Sequence, residues 1–265
     1  MNPLEVYVRA WRDSATSINT LLPTLLESDW SVSTDCPGWT VKDVAAHLAH
    51  LENELATGKV ATASPSMTVM SSNYTNAGVK ARSGRTPAEL CAEFADAVSA
   101  REHMLQTLPD DPQSLAPATP GGINWSWDTL LRNRAIDLWV HEQDIRRAVG
   151  KPGGLDSTGA QVTTTTFKMA MPFVIGKKVR PTPGSTVGWH VTGEIAFDLV
   201  VAVGEDGRAQ PVESIDGEPQ ALLTMASESF TVLGAGRRTA AQLEVRIDGD
   251  RELATAVLSS MAVTF

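Results

Sequence analysis

Apolar residues recur at helical spacing through the first two thirds of the chain and alternate in the last third. From Leu4 to Leu26 the positions Leu4, Val8, Trp11, Ile18, Leu22 and Leu25 form one stripe, predicting a helix that Pro23 bends or breaks. Thr40-Val-Lys-Asp43 is a capping box, so a helix is predicted from Val41 to about Ala56. Val44, His47, Leu48 and Leu51 share one of its faces. Thr86-Pro87-Ala88-Glu89 combines an N-cap, a proline in the first turn and a glutamate at the third position. It starts a helix that runs to near Leu108. A loop rich in proline and glycine covers 109–122. The next helix begins around Trp127 and closes at Gly150, ahead of Pro152. A fifth is predicted over roughly 157–174, against the weak propensity of its four consecutive threonines. Residues 58–85 carry no apolar pattern and read as a long loop. Loops of that length in compact domains often serve as lids or pocket walls.

Near residue 178 the texture changes. Pro181, Pro183, Gly184, Gly188 and Gly193 mark turns. Period-two patterns follow at Thr186–Val191, Ile195–Val203 and Leu243–Ile247, which predict strands. Ser227–Leu233 and Arg251–Leu258 read as helices. The predicted architecture is therefore α plus α+β. A helical bundle of four helices, five at most, occupies 1–177, and a small α+β domain occupies 178–265.

Composition narrows the function. The 265 residues are 42% hydrophobic and 20% charged, with a net charge of −9. An acidic chain lacks the basic face that nucleic acid demands and the polybasic patch that an anionic membrane attracts. No apolar run approaches the length of a membrane span, and Met1-Asn-Pro-Leu-Glu-Val does not resemble a signal peptide. With only Cys36 and Cys91, no disulfide framework is expected, and a cytoplasmic location is the default. Any metal must then be held by histidines and carboxylates.

One constellation has that character. In Arg134-Ala-Ile-Asp137-Leu-Trp-Val-His141 a carboxylate and an imidazole stand at i and i+4, on one helix face. A third ligand must come from elsewhere. His47 and His50, at i and i+3 on the second helix, are the candidates, either or both, and His47 shares the apolar face of Val44 and Leu51. Three protein ligands leave coordination positions open, as catalytic metal sites do. The bland alternative is that Arg134–Asp137 and Glu142–Arg146 are ordinary surface ion pairs and that an inward histidine is a satisfied core residue. Asp144, three residues beyond His141, offers a competing pair or a loop anchor. His103 and His190 read as structural, and Cys36 lacks an identifiable base. No phosphate loop, dinucleotide fingerprint or serine-hydrolase elbow is present.

These motifs resemble a known family. Cys36-Pro-Gly-Trp-Thr-Val-Lys-Asp-Val-Ala-Ala-His47-Leu is similar to the first signature of the mycothiol-dependent maleylpyruvate isomerase family, within the DinB-like metalloenzymes. Asp137-Leu-Trp-Val-His141-Glu-Gln-Asp144-Ile-Arg is similar to its second. The segment from Leu223 through Phe230, Gly236 and Arg237 to Asp250 resembles that family's C-terminal domain, related to sterol-carrier folds. The resemblance implies a DinB-like four-helix bundle that holds a divalent cation, most often Zn2+, through His47, Asp137 and His141. The isomerase carries glutamate at the position of Asp137, one methylene longer. The resemblance also implies mycothiol as a thiol cosubstrate, ionised at the open metal position. The thiolate attacks a small electrophile. Bond rotation followed by elimination gives cis–trans isomerisation, and retention of the adduct gives S-transfer. A dicarboxylate substrate calls for a cation near the metal, for which Arg237 or Arg238 is the candidate. Two other functions share the same residues: a metal-dependent hydrolase using water in place of thiol, and a non-enzymatic protein that binds a small ligand.

Overall fold

A computed structural model describes residues 2–59 and 72–264. Residue contacts divide the chain into two compact units, Met1–Val162 and Thr163–Thr264. In the first unit lie α1 (Glu5–Leu21), α2 (Val41–Thr57), α3 (Ser72–Lys80), α4 (Pro87–Met104) and α5 (Trp127–Val149). The long helices α1, α2, α4 and α5 form the bundle, with α2 packed on α4 and α5, and α1 on α5 and α4. Their shared core includes Trp11, Ile18, Leu48, Leu51, Leu55, Leu90, Phe94, Leu131 and Leu138, all buried.

The predicted caps set the helix starts. Thr40 Oγ1 accepts from the Asp43 N–H at 3.3 Å, and Asp43 returns a carboxylate oxygen to the Thr40 N–H at 2.9 Å. Thr86 and Glu89 repeat the arrangement for α4. Ser126 caps α5, and Gly150 ends it at φ 64°, a left-handed conformation that favours glycine. α1 stops at Leu21, and Leu22–Thr24 forms a single tighter turn with Pro23, as that proline requires. α4 ends at Met104, one turn short of the expected Leu108.

The structure adds α3 to the stretch that reads as loop. Its sequence Ser72–Lys80 buries only Gly78 and Val79, too little apolar surface to show a periodic pattern. Residues 60–71, within the same expected loop, lie outside the described residues.

α6 (Thr158–Phe173) runs across the division between the units. The second unit holds a five-stranded sheet in the order β3-β2-β1-β4-β5. Its strands are β1 (Thr186–Thr192), β2 (Phe197–Val203), β3 (Ala209–Val212), β4 (Ala221–Ala226) and β5 (Val245–Gly249). Only the β1–β4 pair is parallel. One face is buried through Val187, Trp189, Val191, Leu199, Val201, Leu223 and Met225. α7 (Ser227–Gly234) and α8 (Arg251–Ser260) pack on β4. β4 is missing from the sequence expectation because Ala221-Leu-Leu-Thr-Met-Ala226 shows no clean alternation of apolar and polar residue types, although its burial alternates. β3 is missing because it is a four-residue edge strand containing Pro211. Among the described residues, no helix is long and apolar enough to cross a membrane.

Candidate metal centre

The loop before α2 is closed on itself. Thr34 N–H donates to Trp39 O at 2.9 Å, Trp39 N–H to Cys36 O at 3.1 Å, and Val41 N–H to Val32 O at 3.0 Å. Pro37 and Gly38 occupy the centre of the Cys36–Trp39 turn, with Gly38 at φ 80°, the position at which a type II turn favours glycine. This turn sets the Trp39 indole against two imidazoles, with ring centroids 5.0 Å from His47 and 6.0 Å from His141. The two histidine rings meet edge to face at 4.8 Å.

His47 lies on α2, and Asp137 and His141 stand one turn apart on α5. One ligand atom from each lies within 4.8 Å of the others. His47 Nε2 is 3.4 Å from Asp137 Oδ2, and His141 Nε2 is 3.6 Å from Asp137 Oδ1. These separations are ion-pair contacts, too long or poorly aimed for hydrogen bonds. Both ring nitrogens of His47 are buried and have no hydrogen-bond partner among the described residues. A buried imidazole without partners is costly unless something else takes its lone pair.

His141 differs. Its Nδ1 lies 3.0 Å from Asp144 Oδ2, and the carboxylate is fully buried. That partner places the ring proton on Nδ1 and leaves the Nε2 lone pair facing Asp137. Asp144 Oδ1 accepts from Arg147 Nη2 at 2.8 Å, and Arg147 Nε reaches Asp35 at 2.8 Å in the Cys-Pro-Gly turn. Asp144 thus acts both as partner of His141 and as anchor of the loop. Cys36 joins His141 and Asp144 in a second group whose ligand atoms lie within 4.8 Å of one another.

The charge states suit a cation. Burial lowers the His47 pKa, outweighing the opposing pull of Asp137, so the ring is neutral and one of its nitrogens offers a lone pair. Burial raises the Asp137 pKa, but Arg134, His141 and His47 outweigh it and hold the carboxylate well below its usual range. A neutral imidazole and an ionised carboxylate are the ligand forms a divalent metal needs. The residues therefore fit the group that the motifs imply.

Of the remaining candidates in the first unit, neither His50 nor His103 joins this cluster. His50 faces Glu54 and Tyr74. Its Nε2 is 3.8 Å from Glu54 Oε1, its ring is 5.5 Å from that of Tyr74, and Tyr74 hydrogen-bonds Glu54. His103 is exposed, and His190 is exposed and pairs with Asp198 at 2.7 Å. Arg237, in the second unit, donates from Nη1 to Ala235 O at 3.0 Å. The pairs Arg134–Asp137 and Glu142–Arg146 are both formed.

Sequence reading missed the Trp39 indole, whose Nε1 donates to Asn76 Oδ1 on α3 at 3.1 Å. It also missed Glu52, fully buried on α2 and paired with Arg134 at 2.7 Å. Glu52 carried one available signal: it follows His50 and Leu51 on a helix whose inward face the apolar residues already define.

Residues 11–146 match the family described as the mycothiol maleylpyruvate isomerase N-terminal domain. Among solved structures, the crystal structure of the mycothiol-dependent maleylpyruvate isomerase is 16% identical. It covers 92% of this chain and 95% of that chain with a TM-score of 0.58. A histidine-to-alanine mutant of that enzyme covers the same shares with a TM-score of 0.53. At this identity the likeness is one of fold. A UbiJ-SCP2 ubiquinone synthesis protein covers 38% of this chain with a TM-score of 0.28, too low to argue from. No curated protein matches.

Proposed function

The chain belongs to the mycothiol maleylpyruvate isomerase N-terminal domain family, and on that premise we propose an enzyme that uses mycothiol and a divalent cation on a small electrophile. His47, Asp137 and His141 hold the cation, with Zn2+ as the expected ion. The observation that carries this reading is His47: both of its buried ring nitrogens lack a hydrogen-bond partner among the described residues, beside an ionised carboxylate and a second, correctly oriented imidazole.

The cation, when bound, supplies the positive charge that ionises a thiol at neutral pH. The chain's own residues do the rest. Burial keeps His47 neutral. Asp144 holds the proton of His141 on Nδ1 and so fixes which nitrogen is presented. Arg134 donates to Asp137 Oδ2 and holds that carboxylate ionised. The Trp39 ring lies against both imidazoles. Arg237 is proposed as the cation that receives a substrate carboxylate. The same reading places the protein in the cytoplasm and the second unit among sterol-carrier-like domains.

Elemental analysis of the purified protein tests the centre. Near-stoichiometric divalent metal is expected, largely lost in His141→Ala, and unchanged content in the variant overturns the assignment. Turnover with and without mycothiol tests the chemistry. A rate independent of the thiol points to hydrolysis and removes the thiol-dependent reading. Mycothiol recovered unchanged after turnover marks an isomerase, and mycothiol consumed one for one marks a transferase.

A further inference from the structure

Behind Asp137 the bundle buries a set of charges of which the proposed chemistry uses only Arg134. Glu52 on α2 is 0% exposed, Arg134 on α5 1% and Arg101 on α4 2%. Burying ionised groups is costly unless their pairing geometry is good. Here it is directional. Arg134 Nε and Nη2 both donate to Glu52 Oε1, at 3.0 and 2.7 Å. One edge of the guanidinium is thereby committed. The nitrogen left over, Nη1, donates to Asp137 Oδ2 at 2.8 Å. A planar guanidinium gripped along one edge cannot swing its opposite nitrogen freely. Arg101 Nε stands 3.5 Å from Glu52 Oε2 and makes no hydrogen bond there, so it balances charge without setting direction.

Asp137 needs such a hold. The terminal torsion of an aspartate is broad and roughly two-fold, so its carboxylate plane is not fixed by rotamer preference. The two oxygens face different histidines, Oδ2 towards His47 at 3.4 Å and Oδ1 towards His141 at 3.6 Å. Rotation of the carboxylate would lose both alignments together.

We propose that Glu52 is a positioning residue for the metal centre: by gripping one edge of Arg134 it aims the other at Asp137 and fixes the carboxylate plane between His47 and His141. The proposal rests on the reading that these three residues hold a cation. Its test is a Co2+ binding isotherm and visible spectrum for the wild type, Glu52→Gln, Arg134→Lys, the double variant and His141→Ala, each checked for helical content. Glu52→Gln keeps the shape and removes the charge. Arg134→Lys keeps the buried charge and loses the fork, so it carries the test if Glu52→Gln does not fold.

Each folded single variant is expected to weaken Co2+ binding about tenfold or more and to alter the ligand-field bands. The double variant is expected to be no weaker than the worse single, because both break one relay. Unchanged isotherms and spectra in folded variants overturn the proposal, as do losses that simply add. If the wild type takes up no Co2+, or His141→Ala takes up as much, the underlying metal reading has failed. Co2+ bound by the wild type, lost in His141→Ala and unchanged in Glu52→Gln and Arg134→Lys rejects the relay alone.

Discussion

His141 presents its two ring nitrogens to different partners, Nδ1 to Asp144 and Nε2 towards Asp137. Asp144 fixes the proton on Nδ1, which frees Nε2 for the site. Removing that partner leaves the tautomer and the ring angle unset. Asp144→Ala is therefore expected to weaken metal binding about 10–100-fold, measured by competition with a chromogenic chelator. An unaltered affinity would show that Asp144 only ties down the loop through Arg147. The sequence made part of this visible. The i,i+4 spacing of Asp137 and His141 fixes their common face whatever else the chain does, and the capping box fixes where α2 starts while Val44 and Leu51 mark the face that carries His47. The Glu52–Arg134–Asp137 relay was hidden, because the residues at 52 and 134 meet only once two helices pack. Local periodicity contains no record of a partner on another element.

At the scale of elements, α3 is the part the sequence least disclosed, and its seat on α2 is unusually close. A Cβ at Gly78 would overlap the His50 ring. In an open helix Gly→Ala gains about 1 kcal/mol, whereas forcing extra atoms into a packed contact costs about 1–3 kcal/mol. The overlap is with a ring held between α2 and α3, so the second effect wins. Gly78→Ala is expected to lower Tm by several degrees, at about 2–4 °C per kcal/mol for a domain of this size. A rise in Tm would show that α3 does not sit where it is described.

The same seat makes His50 sensitive to pH. Burial, with help from Arg82, lowers its pKa from 6.5 to about 4. The unfolded chain then binds the proton first, so stability is whole above 6.5 and falls as pH drops towards about 4. In thermal melts across that range, His50→Gln should show a shallower decline than the wild type. Parallel declines in the two proteins would refute this contribution.

For the whole molecule, the change of texture near 178 suggests a boundary that the spatial division draws inside α6, at Val162. We propose the limits 1–177 and 178–265 as domains because that cut leaves the Thr158–Phe173 helix intact. The fragment 1–177 is then expected to be helical by circular dichroism and to retain metal, since all three proposed ligands lie in it. A fragment that is helical but metal-free, where the full chain holds metal, would show that 1–177 is not a self-sufficient domain.

The placement of the ligands on α2 and α5 has a further result. These helices are remote along the chain, so a cation held as proposed would close everything between them into one loop and act as a reversible cross-link. Cross-links of long loops favour the native state by restricting the alternatives. Mass action then ties survival to supply, at about 2.7 kcal/mol when free metal is a hundredfold above its dissociation constant. Under metal scarcity the chain would open more often and meet proteases sooner. The amount of this protein in a cell would follow the cell's metal supply before any change in its synthesis.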